Sequence, residues 1–205
     1  MYTTRNNLVL AFHGCDKSIV DEILLSKNSL SQSNNDYDWL GNGIYFGENS
    51  PSRALEFAET LSKQPNKKKK KIQNPSVIGA IINLGRCLDL MEYQNLSFLK
   101  DSYNLLSKSL ANMGIEMPKN KPFRNSEDLL LRHLDCAVIE SAHRIIERDN
   151  LSPFDSVRGV FWEGKPIYPE AGFREKDHIQ ICIRNPNCIK GYFKPLFNDE
   201  NFNMV

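Results

Sequence analysis

Hydrophobic and polar positions along this chain follow two periods, near two and near four, and the switches between them mark out the elements. Residues 7–14, "NLVLAFHG", form a short apolar run closed by glycine and read as a buried strand. In 16–28, Ile19, Val20, Ile23 and Leu24 recur at helical spacing, with Asp16 placed to cap the first turn. A polar loop follows, then a short strand "GIYF" at 43–46. Ser50 and Pro51 form a cap and first-turn pair, so 50–63 should be a helix. Residues 76–84, "SVIGAIINL", have the β-branched density of a strand, and 96–114 the spacing of an amphipathic helix stopped by Gly114. The stretch 126–150 predicts one long helix or two abutting ones, capped by Ser126. Segments 156–162, 178–184 and 188–193 alternate as strands. Strands lie at both ends and helices between them, which points to an α+β domain rather than a doubly wound sheet.

Composition narrows the class without changing that picture. A chain of 205 residues suits one domain. Its 40% hydrophobic and 25% charged residues are ordinary for a globular protein. The net charge of +1 argues against a molecule held to nucleic acid by its overall field. No apolar run approaches the length of a membrane span, and the first residues lack the basic start and apolar stretch of a secretory signal. The expectation is a cytoplasmic protein with no membrane contact. Five scattered cysteines, none in a CxxC pair, read as reduced thiols used in packing, and no Cys/His cluster has zinc-ligand spacing. Five consecutive lysines, Lys67–Lys71, read first as a solvated loop and second as a phosphate-contacting patch for a nucleic-acid acceptor.

Three segments carry candidate chemistry. In "FHG", His13 ends an apolar strand, and Gly14 leaves its backbone open to close approach by an amide-bearing ligand; a satisfied core histidine is the plainer reading. In "GNGIYF", Gly41 and Gly43 permit a tight turn before Tyr45 and Phe46, which should point to opposite faces of their strand, one into the core and one free to stack on a planar ligand. The segment is not a dinucleotide fingerprint, because a strand follows where that motif needs a helix. In "DHIQICIRNPNCIKGYF", Gln180 shares a face with His178 and Cys182 amid isoleucines, and needs partners if it is buried.

Together these segments resemble the ADP-ribosyltransferase superfamily, in its diphtheria-toxin and PARP-like branch. The resemblance covers the first 60 residues and the last 40. It implies a split mixed or antiparallel sheet with flanking helices, a single catalytic domain over 1–205, and a helical insertion at about 92–150. It further implies NAD as co-substrate. The nicotinamide amide would lie on the backbone of Gly14, the adenosine ribose on His13, and the nicotinamide ring on Tyr45 beside Gly43. Ser52 and Phe57 of the following helix would complete the pocket. Where the family has a catalytic glutamate this chain has Gln180, so the set is His13, Tyr45 and Gln180. Glutamine can orient a ribose hydroxyl but carries no charge and is no base. Glu163, Glu170, Glu175 and Asp177 in the preceding loop are alternative carboxylates, and Tyr168 and Phe173 in that loop would meet an acceptor. Loss of Tyr45 would remove activity with the fold intact. The resemblance implies a mono-ADP-ribosyltransferase acting on a macromolecular acceptor, protein or nucleic acid. It also implies a bacterial toxin or phage-defence role, with an antitoxin protein as possible partner. The alternative is an inactive module that binds NAD or ADP-ribose.

Overall fold

The structure is a computed structural model and describes residues 8–26, 28–63, 72–123 and 128–196. The fold is α+β. One seven-stranded sheet runs in the order β4-β5-β6-β2-β1-β3-β7, built from β1 (Leu8–Asp16), β2 (Ile44–Glu48), β3 (Pro75–Asn83), β4 (Cys87–Asp89), β5 (Ser156–Phe161), β6 (His178–Ile183) and β7 (Ile189–Phe193). Every pairing is antiparallel except β4 with β5. The helices are α1 (Lys17–Ser26), α2 (Pro51–Lys63), α3 (Tyr93–Asn112) and α4 (His133–Arg148).

Local chemistry explains most boundaries. Asp16 ends β1 and starts α1: its carboxylate accepts from the N–H and hydroxyl of Ser18 and from the N–H groups of Gln73 and Asn74. Those backbone bonds, led by that from Asn74, hold its pKa well below the usual carboxylate range. Gly114 stops α3 at φ +67°, where a side chain would be strained. One expectation needs correction, and one strand went unpredicted. The last long helix begins at His133; Leu130 and Leu131 sit in the loop before it, where Leu131 bridges to Lys121. Ser126 and the Lys67–Lys71 run lie outside the described residues. The strand β4 was not evident from its three residues, and it exists because Leu88 and Asp89 pair with Val157 and Arg158.

Two cores form on the two faces of the sheet. One gathers Ala11, Ile44, Phe46, Ile78, Ile82, Ile181 and Ile183 of the strands with Val20 and Ile23 of α1. The other gathers Leu88, Val157 and Cys182 with Leu40, Phe154 and, from α4, Ile139 and Ile146. The span 92–150 therefore supplies helices whose apolar faces complete a core of the sheet. All five cysteines are buried in this packing, and burial pushes Cys15, Cys136 and Cys188 up to about 11.

His143 of α4 gives one testable consequence. It is buried, its Nε2 has no hydrogen-bond partner, and its ring meets Phe154 edge-on. Desolvation, helped by Arg184 and opposed by Glu140, pushes its pKa from 6.5 down to about 4. The folded chain thus binds this proton more weakly than the unfolded chain. Stability is fully present above pH 6.5 and is lost as pH falls toward 4, by about 3 kcal/mol from this group. His143→Leu should flatten that decline in urea unfolding midpoints measured between pH 7 and 4. It should not abolish it, because His13 and His178 are shifted in the same direction.

Candidate functional site

The sheet opens between β1 and β2. Their ladder covers Ala11↔Glu48 and Phe12↔Gly47, extended by the Asn49 N–H donating to the Leu10 carbonyl at 3.0 Å. The next hydrogen-bonded pair in register, Gly14 with Tyr45, is missing, although β1 continues along β3 to Asp16. By antiparallel alternation Leu10, Phe12 and Gly14 all aim their N–H and C=O groups at the β2 side. Those of Gly14, a buried residue, therefore turn toward β2 where the ladder has already ended, and that break in the ladder is the opening. The Tyr45 carbonyl, which Gly14 would otherwise have paired with, accepts instead from Nδ1 of His13 at 2.7 Å.

That bond settles the state of His13. A carbonyl can only accept, so Nδ1 carries the hydrogen, and Nε2 of the neutral ring is an acceptor. Desolvation lowers the His13 pKa more than the Tyr45 carbonyl raises it, which favours the neutral form.

The rings of His13 and Tyr45 do not share a sheet face. His13 lies on the side of Phe46, with ring centroids 6.0 Å apart. Tyr45 lies on the side of the second core and packs against it. Its hydroxyl accepts from the Leu40 N–H at 3.0 Å and donates to the Gly41 carbonyl at 2.8 Å. The resemblance requires both rings in one pocket, and rings on opposite faces of the sheet count against it; the structure has them on opposite faces, joined by the hydrogen bond from His13 to the Tyr45 carbonyl. The ring of Tyr45 is part of the packing as well as a candidate stacking surface. Burial pushes its pKa far up, so it stays a neutral phenol.

Gln180 is on β6, on the same face as Tyr45: in the ladder Tyr45 faces Cys182 and Gly47 faces Gln180. On its other side Gln180 faces Gly159 of β5. Two glycines flanking a glutamine leave room above it, and the Trp39 ring fills part of that room; a Cβ on Gly159 would come within 2.9 Å of it. The indole Nε1–H donates to Oε1 of Gln180 at 2.7 Å, and Nε2 of Gln180 lies 2.9 Å from Nε2 of His178. One amide hydrogen and one oxygen lone pair remain for another partner. Trp39 was not expected in the site. The only sequence signal was a large aromatic just before the "GNG" turn, and which strand it would cross is a tertiary matter.

The other expected residues divide. Gly14 lies beneath α2: a Cβ there would sit 1.9 Å from the Ala54 carbonyl oxygen and 3.2 Å from Ala58. The glycine is thus required by helix packing on its Cα side, and only its peptide groups face the opening. Gly43 is similarly walled by β6, where a Cβ would meet the Ile183 carbonyl at 2.5 Å, so its role here is structural. On α2, Ala54 and Ala58 face the sheet, Phe57 is exposed with the Arg53 guanidinium 5.9 Å from its ring centroid, and Ser52 is exposed.

Among the loop carboxylates, Glu163 pairs with Arg53 at 2.5 Å and is close enough to His178 to influence its charge. Asp177 accepts from the backbone of Glu163 and Arg174, and Glu175 from that of Lys165. Glu170 is exposed in a left-handed turn at φ +64°. Tyr168 and Phe173 are 55% and 66% exposed on the small hairpin closed by the Ile167–Phe173 and Glu175–Lys165 backbone bonds, so the loop does present aromatic surface.

Comparison with known proteins adds a relative but no activity. No protein-family model matches the chain, and no solved structure matches it. The chain is 25% identical over 195 residues, 87% of its own length and 83% of the other's, to the uncharacterized protein MJ0359 of Methanocaldococcus jannaschii. Among the described residues, no helix is long and apolar enough to cross a membrane.

Proposed function

We propose that this protein is an NAD-dependent mono-ADP-ribosyltransferase that modifies a macromolecular acceptor, protein or nucleic acid. The observation that supports the reading is the early end of the β1–β2 ladder, where the peptide groups of the buried Gly14 point toward β2 and His13 Nδ1 donates to the Tyr45 carbonyl. A peptide N–H beside a peptide C=O is complementary to a carboxamide, the group that marks nicotinamide. In this reading the Tyr45 ring meets the nicotinamide on one side of the opening. His13, on the opposite face, holds the Tyr45 carbonyl in place, and the ribose contact that the resemblance gives it is not part of this reading. Gln180 uses its remaining N–H and lone pair to hold the ribose whose bond breaks. The C1′–nitrogen bond breaks with its electron pair leaving on nicotinamide. The oxocarbenium-like sugar is then taken by an acceptor nucleophile, which gives up a proton. A toxin or defence role, an antitoxin partner and a cytoplasmic place of action accompany this reading by resemblance alone.

A second reading is favoured by Gln180 itself. An uncharged group with both ends already engaged suits a module that binds NAD or ADP-ribose without turnover. The test uses NAD labelled in the adenylate phosphate, incubated with the protein and a cell lysate that is then separated into protein, RNA and DNA. A transferase leaves label in one fraction and releases nicotinamide; a binding module retains intact NAD. In a transferase, Gln180→Ala should lower turnover about 100-fold and change NAD affinity little, because its contact matters mainly in the transition state. Wild-type turnover in that variant would move the catalytic role to a carboxylate of the preceding loop, with Glu163, Glu170 and Glu175 the next to be replaced singly by alanine.

A further inference from the structure

We propose that Trp39 and His178 form a positioning pair that holds the Gln180 amide in one orientation and makes position 180 a site for a neutral hydrogen-bond donor. The inference deepens the reading in which Gln180 meets the ribose, but its geometry stands apart from that reading. An indole N–H can only donate, so the end of the amide 2.7 Å from Trp39 Nε1 is the oxygen. The nitrogen end then faces His178 Nε2 at 2.9 Å, and that ring nitrogen must accept. The other ring nitrogen, Nδ1, lies 2.7 Å from the Lys176 carbonyl, which can only accept, so it carries the hydrogen. The chain from Trp39 through Gln180 and His178 to the Lys176 carbonyl is therefore directional, with a donor-only group at one end and an acceptor-only group at the other. It has one consistent assignment, with His178 neutral.

The consequence is a proton that a carboxylate at position 180 would be forced to recruit. Gln180→Glu would set a carboxylate oxygen against the lone pair of His178 Nε2. The contact is repulsive until that nitrogen takes a proton from solvent, and then it is an imidazolium–carboxylate pair. The new negative charge would be largely cancelled where it was introduced, so the substitution by itself would not supply an unpaired carboxylate to a developing cation on the sugar. Adding His178→Gln, whose amide donates without a proton, would leave the carboxylate charged. The charged groups around His178 are Arg53 of α2, which opposes protonation, and Glu163 and Asp177 of the loop between β5 and β6, which favour it. The Phe161 ring of β5 packs against it at 5.7 Å between centroids.

The test is a titration of the histidine side-chain nitrogens by NMR from pH 4 to 9, in the wild type, Gln180→Glu and Trp39→Phe, with His178→Gln used for assignment. In the wild type His178 should be the neutral Nδ1–H tautomer at pH 7. In Gln180→Glu its titration midpoint should rise by about one pH unit or more, a tenfold gain in proton affinity. In Trp39→Phe it should also rise, because the freed amide can turn its oxygen to the imidazolium without opposing the indole. A group that only fills space would leave the midpoint in place. Unchanged midpoints in both folded variants would overturn the proposal, as would an Nε2–H tautomer in the wild type. If Trp39→Phe does not fold, Gln180→Glu decides alone. None of these measurements needs NAD. Titrations that behave as described beside a protein that transfers no label would reject the transferase reading and leave the positioning pair standing, and the reverse combination would do the opposite.

Discussion

Arg158→Ala should lower the unfolding free energy by about 3–5 kcal/mol, the usual cost of leaving buried charges without their partner. Arg158 stands on β5, with its side chain 8% exposed. Its Nε and Nη2 hold the two carboxylate oxygens of Glu48, at 2.5 and 3.0 Å, and its Nη1 lies 3.2 Å from Asp89 Oδ2. Glu48 ends β2 and Asp89 ends β4, so one guanidinium links strands on both sides of β5 and reaches past β6 to do so. Burial works against its charge, but Glu48 and Asp89 outweigh burial and raise its pKa. Without it, Glu48 and Asp89, with side chains 15% and 7% exposed, lose the cation they share, while Asp89 keeps the Met91 N–H. The measurement is urea unfolding at pH 7. Adding Glu48→Gln and Asp89→Asn to Arg158→Ala should recover a large part of the loss, because the uncompensated charge causes it. A loss below about 1 kcal/mol would show that the carboxylates are solvated instead.

The second large effect is expected at Tyr45. Truncation to alanine removes a half-buried ring from the second core and should cost about 3 kcal/mol, so loss of activity in that variant would not by itself identify a stacking role. Tyr45→Phe separates the two. It keeps the ring and removes only the hydroxyl that joins Leu40 N–H to the Gly41 carbonyl, at a cost of about 1–2 kcal/mol. If the ring stacks on nicotinamide, Tyr45→Phe should bind NAD within a few-fold of the wild type. Tyr45→Ala, assayed well below its unfolding temperature, should bind at least about tenfold more weakly, a difference of roughly 1.4 kcal/mol and within the range of an aromatic pair. Equal NAD affinity in all three proteins would leave Tyr45 a core residue alone.

Much of this architecture is local and was readable along the chain. A continuous apolar run placed β1, β-branched density placed β3 and alternation placed β5, β6 and β7; apolar spacing placed α1 and α3, and the Ser50–Pro51 cap placed α2, because side-chain periodicity and capping follow directly from backbone geometry. The same alternation put Gln180, His178 and Cys182 on one face of β6, and put Tyr45 and Phe46 on opposite faces of β2, as the ladder has them. Residue chemistry also allowed the three candidate segments to be picked out before anything was known of their proximity.

What the sequence left open is whatever depends on partners far along the chain. β4 has three residues and no periodicity of its own; it is a strand because β5 offers it hydrogen bonds. Gly14 looked like room for a ligand, yet the Cα side of that glycine is taken by α2, 40 residues later, and only the register of β1 against β2 turns its peptide groups toward an opening. His13 and Tyr45 were expected in one pocket, but which face each ring takes depends on the pairing of their strands, and a shift of one residue reverses it. Trp39 reaches Gln180 across 141 positions of sequence. No spacing rule links them; the sheet order and the two glycines beside Gln180 bring the indole to the amide.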